Sequence, residues 1–214
     1  LDGDADRIGV VDEQGKLLLG DQILNILARD YLKHNPGKKI IADVKCSMNL
    51  FNDIIKYGGE PIMYKTGHAN IKMYMQEKKV EFAGEMSGHI FLADRYLGFD
   101  DAIYVSCRFC EIVAQTLNPV SSFLADQPKL FNTPELHTSC PDAKKFEVVA
   151  KVCEEFKKEG YEVNDIDGAR ITFSDGWGLI RASNTTPVIV TRYEAITEER
   201  MNEIKGLIEG KIQK

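Results

Sequence analysis

Between residues 38 and 84 short apolar runs alternate with amphipathic stretches, and few folds accept that order. Lys39–Val44, Pro61–Lys65 and Val80–Ala83 read as strands. The stretch capped by Ser47 and ending at Lys56, and that from about Asn70 to Lys78, have helical periodicity. Strands joined in this way through helices must pair in parallel, with the helices covering the faces of the sheet. Ligands collect beyond the carboxyl ends of strands in such a sheet. That directs attention to three loops: Lys45-Cys46-Ser47, Thr66-Gly67-His68 and Gly84–His89.

The flanks fill out the architecture. Arg7–Val11 and Lys16–Leu19 alternate around a turn at Asp12–Gly15, a hairpin pattern. Asp21 is expected to cap a helix reaching about Lys33, with Ile23, Leu24, Leu27, Tyr31 and Leu32 inward; Asn35-Pro36-Gly37 stops it. A long helix over about Asp101–Leu117 would cover the sheet. Residues 119–141, rich in Pro, Ser and polar side chains, read as a linker with one short helical possibility at Ser121–Ala125. Beyond it come a helix at Asp142–Glu159, strands near Arg170–Ser174, Gly178–Arg181 and Val188–Glu194, and a helix from Glu198. The expected fold is therefore an α/β three-layer domain with a mainly parallel sheet, residues 8–118. A smaller α+β domain with an antiparallel sheet follows, residues 142–214, while residues 1–7 close a preceding domain.

Composition narrows the function. A net charge of −6 argues against non-specific nucleic-acid binding, and obliges any anionic ligand to find local Arg or Lys. No apolar run approaches the roughly 20 residues of a membrane span, and no secretory signal opens the chain. Five cysteines without regular spacing point to a reducing compartment, the cytoplasm. Cys107 and Cys110 form a C-x-x-C within an apolar helical stretch, where buried packing cysteines are expected.

Three loops carry chemistry. Asp2, Asp4 and Asp6 alternate with Gly3 and Ala5, so the backbone can curl and bring the three carboxylates together around a cation. All-oxygen ligands suit Mg²⁺ or Ca²⁺, and Arg7 adds a guanidinium for a phosphate or hydroxyl. An EF-hand fits poorly, because Arg7 fills its glycine position and a strand follows; the plainer alternative is a solvated acidic turn. In Gly84–His89, Glu85 can accept two sugar hydroxyl protons, with Ser87 and His89 alongside. Arg181-Ala182-Ser183-Asn184-Thr185-Thr186 combines a guanidinium, hydroxyls and backbone N–H groups into a possible phosphate cradle, or else forms a polar hairpin turn. Lys45 and His68 end strands and could reach the same crevice.

Together the segments DGDADR (2–7), DVKCS (43–47), TGHANIK (66–72), GEMSGH (84–89) and RASNTTP (181–187) resemble the α-D-phosphohexomutases, particularly the phosphomannomutase/phosphoglucomutase branch. That family has four domains around a cleft, and the resemblance covers the end of the second, the third and the fourth. It implies that Asp2, Asp4 and Asp6 hold Mg²⁺ against a phosphoserine. The phosphoserine converts hexose 1-phosphate to 6-phosphate through a hexose 1,6-bisphosphate intermediate. Glu85, Ser87 and His89, with Gly67, would read the sugar; Arg181, Ser183, Asn184, Thr185 and Thr186 would hold the non-reacting phosphate. Arg7, Lys45 and His68 would surround the reacting oxygen. The family's Ser-His-Asn nucleophile does not occur among the 214 residues. The serine is thus expected on N-terminal domains outside this chain, and the chain alone should not turn over. Two other readings compete: a non-catalytic sugar-phosphate binding module, and a haloacid-dehalogenase-like phosphatase whose parts Asp2-Gly3-Asp4, Lys45 and Asp100-Asp101 could imitate.

Overall fold

The structure, a computed structural model, describes residues 1–212; Gln213 and Lys214, the end of the expected second domain, lie outside them. The chain divides into two compact units, residues 1–127 and 128–214.

In the first unit a hairpin of β1 (Val10–Val11) and β2 (Leu17–Leu18) pairs Val10 with Leu18 and turns at Gly15. Then follow α1 (Gly20–His34), β3 (Lys39–Asp43), α2 (Met48–Lys56), β4 (Glu60–Tyr64), α3 (His68–Lys78), β5 (Phe82–Gly84), β6 (Ile90–Leu92) and α4 (Ala102–Thr116). The sheet order is β4-β3-β5-β6, with β3 parallel to both β4 and β5 and only β6 antiparallel. Successive side chains of a strand point to opposite faces. Ile40, Ala42, Phe82, Ile90 and Leu92 accordingly join a core with α1, α2 and α4. Ile41, Ala83 and Phe91 pack on the other face against Ile71 and Met75 of α3. Helices therefore cover both faces of the mainly parallel sheet, as the alternation demanded.

Several local expectations change. The α1 cap is at Leu19, whose N–H is received by the Gln22 side chain at 2.9 Å. Asp21 lies instead in the first helical turn, buried, where its carboxylate accepts the Ser47 N–H at 2.9 Å and ties α1 to the start of α2. Ser47 does cap α2, accepting from the Asn49 N–H. Cys107 and Cys110 are helical but exposed: α4 buries Val105, Phe109 and Ile112, and both cysteines fall on the opposite side with Ile103. The short edge strand β6 was not visible in the sequence.

The second unit contains β7 (Phe131–Asn132), β8 (Leu136–Ser139), α5 (Asp142–Lys158), β9 (Glu162–Asn164), β10 (Ala169–Phe173), β11 (Gly176–Ala182), β12 (Val188–Ala195) and α6 (Glu198–Ile212). All its pairings are antiparallel, in the order β7-β12-β11-β10-β9 with β8 also on β12. Ile171, Ile180, Ile189 and Tyr193 pack on one face of this sheet with Val152 and Phe156 of α5 and Ile204 and Ile208 of α6. Residues 119–141, expected as a linker, contain a 3₁₀ turn at Val120–Ser122 as well as β7 and β8. Those strands are too short to show periodicity and exist by pairing with the long β12.

Candidate active site

The first unit gathers segments far apart in sequence at the carboxyl ends of β3, β4 and β5. The acidic loop curls as its small residues allow. Ala5 takes a left-handed φ of 58°, and its N–H meets the Asp2 carbonyl at 3.3 Å. Oxygen atoms of Asp2, Asp4 and Asp6 lie within 4.8 Å of one another. Arg7 binds back onto Asp2 (Nε to Oδ2, 2.5 Å), and this hydrogen bond holds the Asp2 carboxyl down at about 2. Oδ1 of Asp6 is buried and accepts no hydrogen bond, with Arg7 Nε 3.6 Å away, so it keeps lone pairs for a cation. Three hard oxygen ligands fit Mg²⁺ well and zinc poorly.

This loop is docked on the Gly84–His89 turn. The Ile8 N–H reaches the Gly88 carbonyl at 3.2 Å, and Gly88 itself has a φ of +98°. A Cβ there would come within 2.9 Å of the Ile8 carbonyl oxygen, so only glycine fits. The Ala102 N–H at the start of α4 meets the Ala5 carbonyl at 3.0 Å, giving the acidic loop a second anchor.

Glu85 is 1% exposed. Its Oε1 accepts the N–H of Gly67, 2.7 Å away, which ties the β5 loop to the β4 loop. Gly67, at a φ of +117°, presents that N–H as the cap of α3. Burial, followed by the charge of Asp43, raises the Glu85 carboxyl to about 7, against the pull of the Gly67 N–H, Lys45 and His68. Asp43, at the end of β3 and fully buried, is the hub beneath these loops. Its Oδ1 accepts from the Met86 N–H (3.1 Å) and the Cys46 thiol (3.0 Å), and its Oδ2 from the Thr66 hydroxyl (3.2 Å). Lys45 Nζ, also buried, is 3.8 Å from Asp43 Oδ2. Ser87 is exposed at the tip of the turn.

His68 and His89 lie face to face, ring centroids 5.4 Å apart. His68 Nδ1 hydrogen-bonds Asp100 Oδ2 at 3.1 Å, and His89 Nδ1 is 3.1 Å from the same oxygen and 3.7 Å from Asp6. Within ion-pair distance of both carboxylates, His89 Nδ1 is aligned for a hydrogen bond with neither. Lys72 Nζ donates to Asp100 Oδ1 at 2.8 Å. Burial raises the Asp100 carboxyl, but the Lys72 hydrogen bond and the charges of Lys72 and His68 outweigh it and hold the group below its ordinary range. From the sequence, Asp43 and Lys72 have no role of their own, and Asp100 enters only with the haloacid-dehalogenase-like alternative. A lone Asp at a strand end, or ahead of a helix cap such as Asp101, carries no signal until the chain folds.

In the second unit, Arg181 is the penultimate residue of β11 and Ser183–Pro187 turns into β12. Arg181 is nearly buried and paired with Asp167 (Nε to Oδ2, 3.1 Å), which aims its guanidinium. Ser183 Oγ accepts the N–H groups of Thr185 (3.3 Å) and Thr186 (3.2 Å). Those two N–H groups thus build the turn, and do not form the open cradle the sequence suggested. Asn184, Thr185 and Thr186 are exposed. Lys145, buried in the first turn of α5, reaches the Thr186 carbonyl at 3.0 Å and adds a cation beneath the loop.

The chain resembles known proteins over nearly all of its length. Residues 19–131 match the model of the phosphoglucomutase/phosphomannomutase α/β/α domain III, and residues 135–210 match that family's C-terminal domain. The chain is 41% identical, over all of its length and 46% of the relative's, to a phosphomannomutase/phosphoglucomutase of Pseudomonas syringae pv. tomato. It is 45% identical, over 98% of its length and 47% of the relative's, to a phosphoglucomutase of Neisseria meningitidis. A crystal structure of a phosphoglucomutase/phosphomannomutase family protein from Burkholderia thailandensis superposes with a TM-score of 0.91 at 40% identity, covering 100% of this chain and 45% of that one. The chain thus spans about half the length of the relatives it matches. It belongs to the phosphoglucomutase/phosphomannomutase family, of which it carries domain III and the C-terminal domain.

Proposed function

We propose that the chain is the sugar- and phosphate-binding half of a cytoplasmic phosphohexomutase, which interconverts hexose 1-phosphate and 6-phosphate through a phosphoserine and a hexose 1,6-bisphosphate. The observation that carries this reading is the meeting, within one unit, of the acidic loop, Lys45, the Gly67–His68 turn and the Glu85–His89 turn. Phosphoryl transfer needs positioning and charge stabilisation more than covalent chemistry from the protein, and these groups supply both. Asp2, Asp4 and Asp6 would hold Mg²⁺, which when bound neutralises charge on the transferring phosphoryl group.

The remaining roles follow from chemistry. Glu85 orients sugar hydroxyls from a buried, oriented carboxyl group, with Ser87 and His89 at the rim. Arg7 and Lys45 place positive charge beside the reacting oxygen, and His68 exchanges its proton. Arg181, with Ser183, Asn184, Thr185 and Thr186, receives the phosphate that does not react. The serine nucleophile would come from N-terminal domains of the kind that make up the rest of the relatives.

Calorimetric titration of the chain with glucose 1-phosphate tests the phosphate loop. Arg181→Ala should weaken binding about 10- to 100-fold, the worth of a charge-assisted hydrogen bond. Unchanged affinity would remove that loop from the site. Isomerisation of glucose 1-phosphate should be undetectable with the chain alone and appear in a polypeptide that also carries the preceding domains. Binding without isomerisation in either case would favour a non-catalytic sugar-phosphate module.

A further inference from the structure

We propose that Asp100 is a positioning residue that fixes the tautomer of His68, holding a proton on Nδ1 and leaving Nε2 as the acceptor. Asp100 is well placed for this. It lies ahead of α4, its backbone is bridged to Phe91 of β6, and its side chain is 7% exposed. Both oxygens are engaged, Oδ2 with the imidazoles and Oδ1 with Lys72. A carboxylate below its ordinary range can only accept, so an imidazole nitrogen hydrogen-bonded to it must carry the proton.

Two groups compete: His89 Nδ1 is the same 3.1 Å from Oδ2 but is not aligned to donate to it, while Lys72 Nζ lies 3.3 Å from His68 Nδ1 and could donate to a bare ring nitrogen. Its contact with Asp100 Oδ1 is shorter, 2.8 Å, and pairs opposite charges. The ammonium thus sits on Oδ1 as its nearer and oppositely charged partner, and Oδ2, 3.1 Å from Nδ1, is the acceptor facing the ring proton. The stacked His89 ring, tilted 20° from the plane of the His68 ring, limits how His68 can rotate away. His68 is at the first position of α3 and its side chain is 52% exposed, so Nε2 is directed away from the carboxylate toward solvent or a ligand. An Asp that orients a His in this way sets which nitrogen does the chemistry without touching the substrate. The structural part of the inference stands on geometry alone; its bearing on turnover rests on the phosphohexomutase reading.

The tautomer can be read directly by ¹⁵N NMR of the ring-labelled chain at about pH 8, where an ordinary imidazole is neutral. His68 should show a protonated, pyrrole-type Nδ1 and a bare, pyridine-type Nε2. Asp100→Ala should move the proton to Nε2. A parent His68 already protonated on Nε2 overturns the proposal, and that measurement decides the matter even if the variant fails to fold. An Asp100→Ala chain that folds and keeps the Nδ1 proton also overturns it. In an enzyme that includes the preceding domains, the same substitution should lower kcat on the order of tenfold or more with KM little changed. A rise in KM alone would assign Asp100 to binding. None of the NMR measurements involves sugar or metal, so failure of the mutase reading leaves them intact.

Discussion

Burial of Glu85 beside Asp43 makes one proton part of the folding equilibrium. The folded carboxyl titrates at about 7 and an ordinary one at 4.5, chiefly because burial disfavours the charged form. Between those values the native state keeps a proton that the unfolded chain has lost. This group's contribution to stability is therefore full below about pH 4.5 and is lost as pH rises toward 7. The shift corresponds to about 3 kcal/mol at most. Glu85→Gln removes the titration. Urea unfolding from pH 4.5 to 8 should show the variant gaining on the parent through that window and holding a constant advantage above it; parallel curves would show that Glu85 titrates normally. A site that maintains a costly buried carboxyl places ligand reading ahead of stability, and Gln at this position should bind sugar phosphate less well for the same reason.

At the scale of elements, the site depends on loops that hold one another. Asp43 grips the ends of β3, β4 and β5, and Gly88 lets the acidic loop lie on the β5 turn. Gly88→Ala would force an alanine into a left-handed backbone and against the Ile8 carbonyl, at a cost of about 1–3 kcal/mol. The acidic loop should detach and Mg²⁺ affinity fall by the same free energy, roughly 5- to 100-fold by calorimetry. Gly15→Ala is the control. Its φ is also positive, +80°, but no atom lies within 4 Å of its Cβ, so the hairpin tip should strain without moving the loop. Undiminished Mg²⁺ affinity in Gly88→Ala would mean that the acidic loop holds its shape unaided. The loops themselves were legible in the sequence, because Gly67, Glu85 and Arg181 stand where apolar runs end. Their fastening was not. Asp21 has the composition of a helix cap and serves instead as a tie to Ser47, and Cys107 and Cys110 share an apolar stretch whose buried stripe runs through Val105 and Phe109. Such choices between equally plausible faces are made by tertiary packing, which local pattern does not encode.

At the scale of the molecule, the two units have cores with no residue in common. One runs from Ile8 to Ile112 around the mainly parallel sheet, and the other from Val149 to Ile208 around the antiparallel one. The alternation of strands and helices made the first unit's class readable. The second was readable only through its long strands, since β7, β8 and β9 have two to four residues each. Separate cores imply separable unfolding. Ile208 is fully buried on the sheet over Gly178, a position where any side chain would collide with it. Ile208→Ala leaves a cavity worth about 2–5 kcal/mol. Hydrogen exchange should then lose protection across β10, β11, β12 and α5 while the amides of β3, β5 and α1 keep theirs, and the Glu85 titration should not move. Uniform loss of protection would show instead that the two cores melt as one cooperative unit, in which case damage to the phosphate loop's scaffold would reach the sugar-reading loops directly.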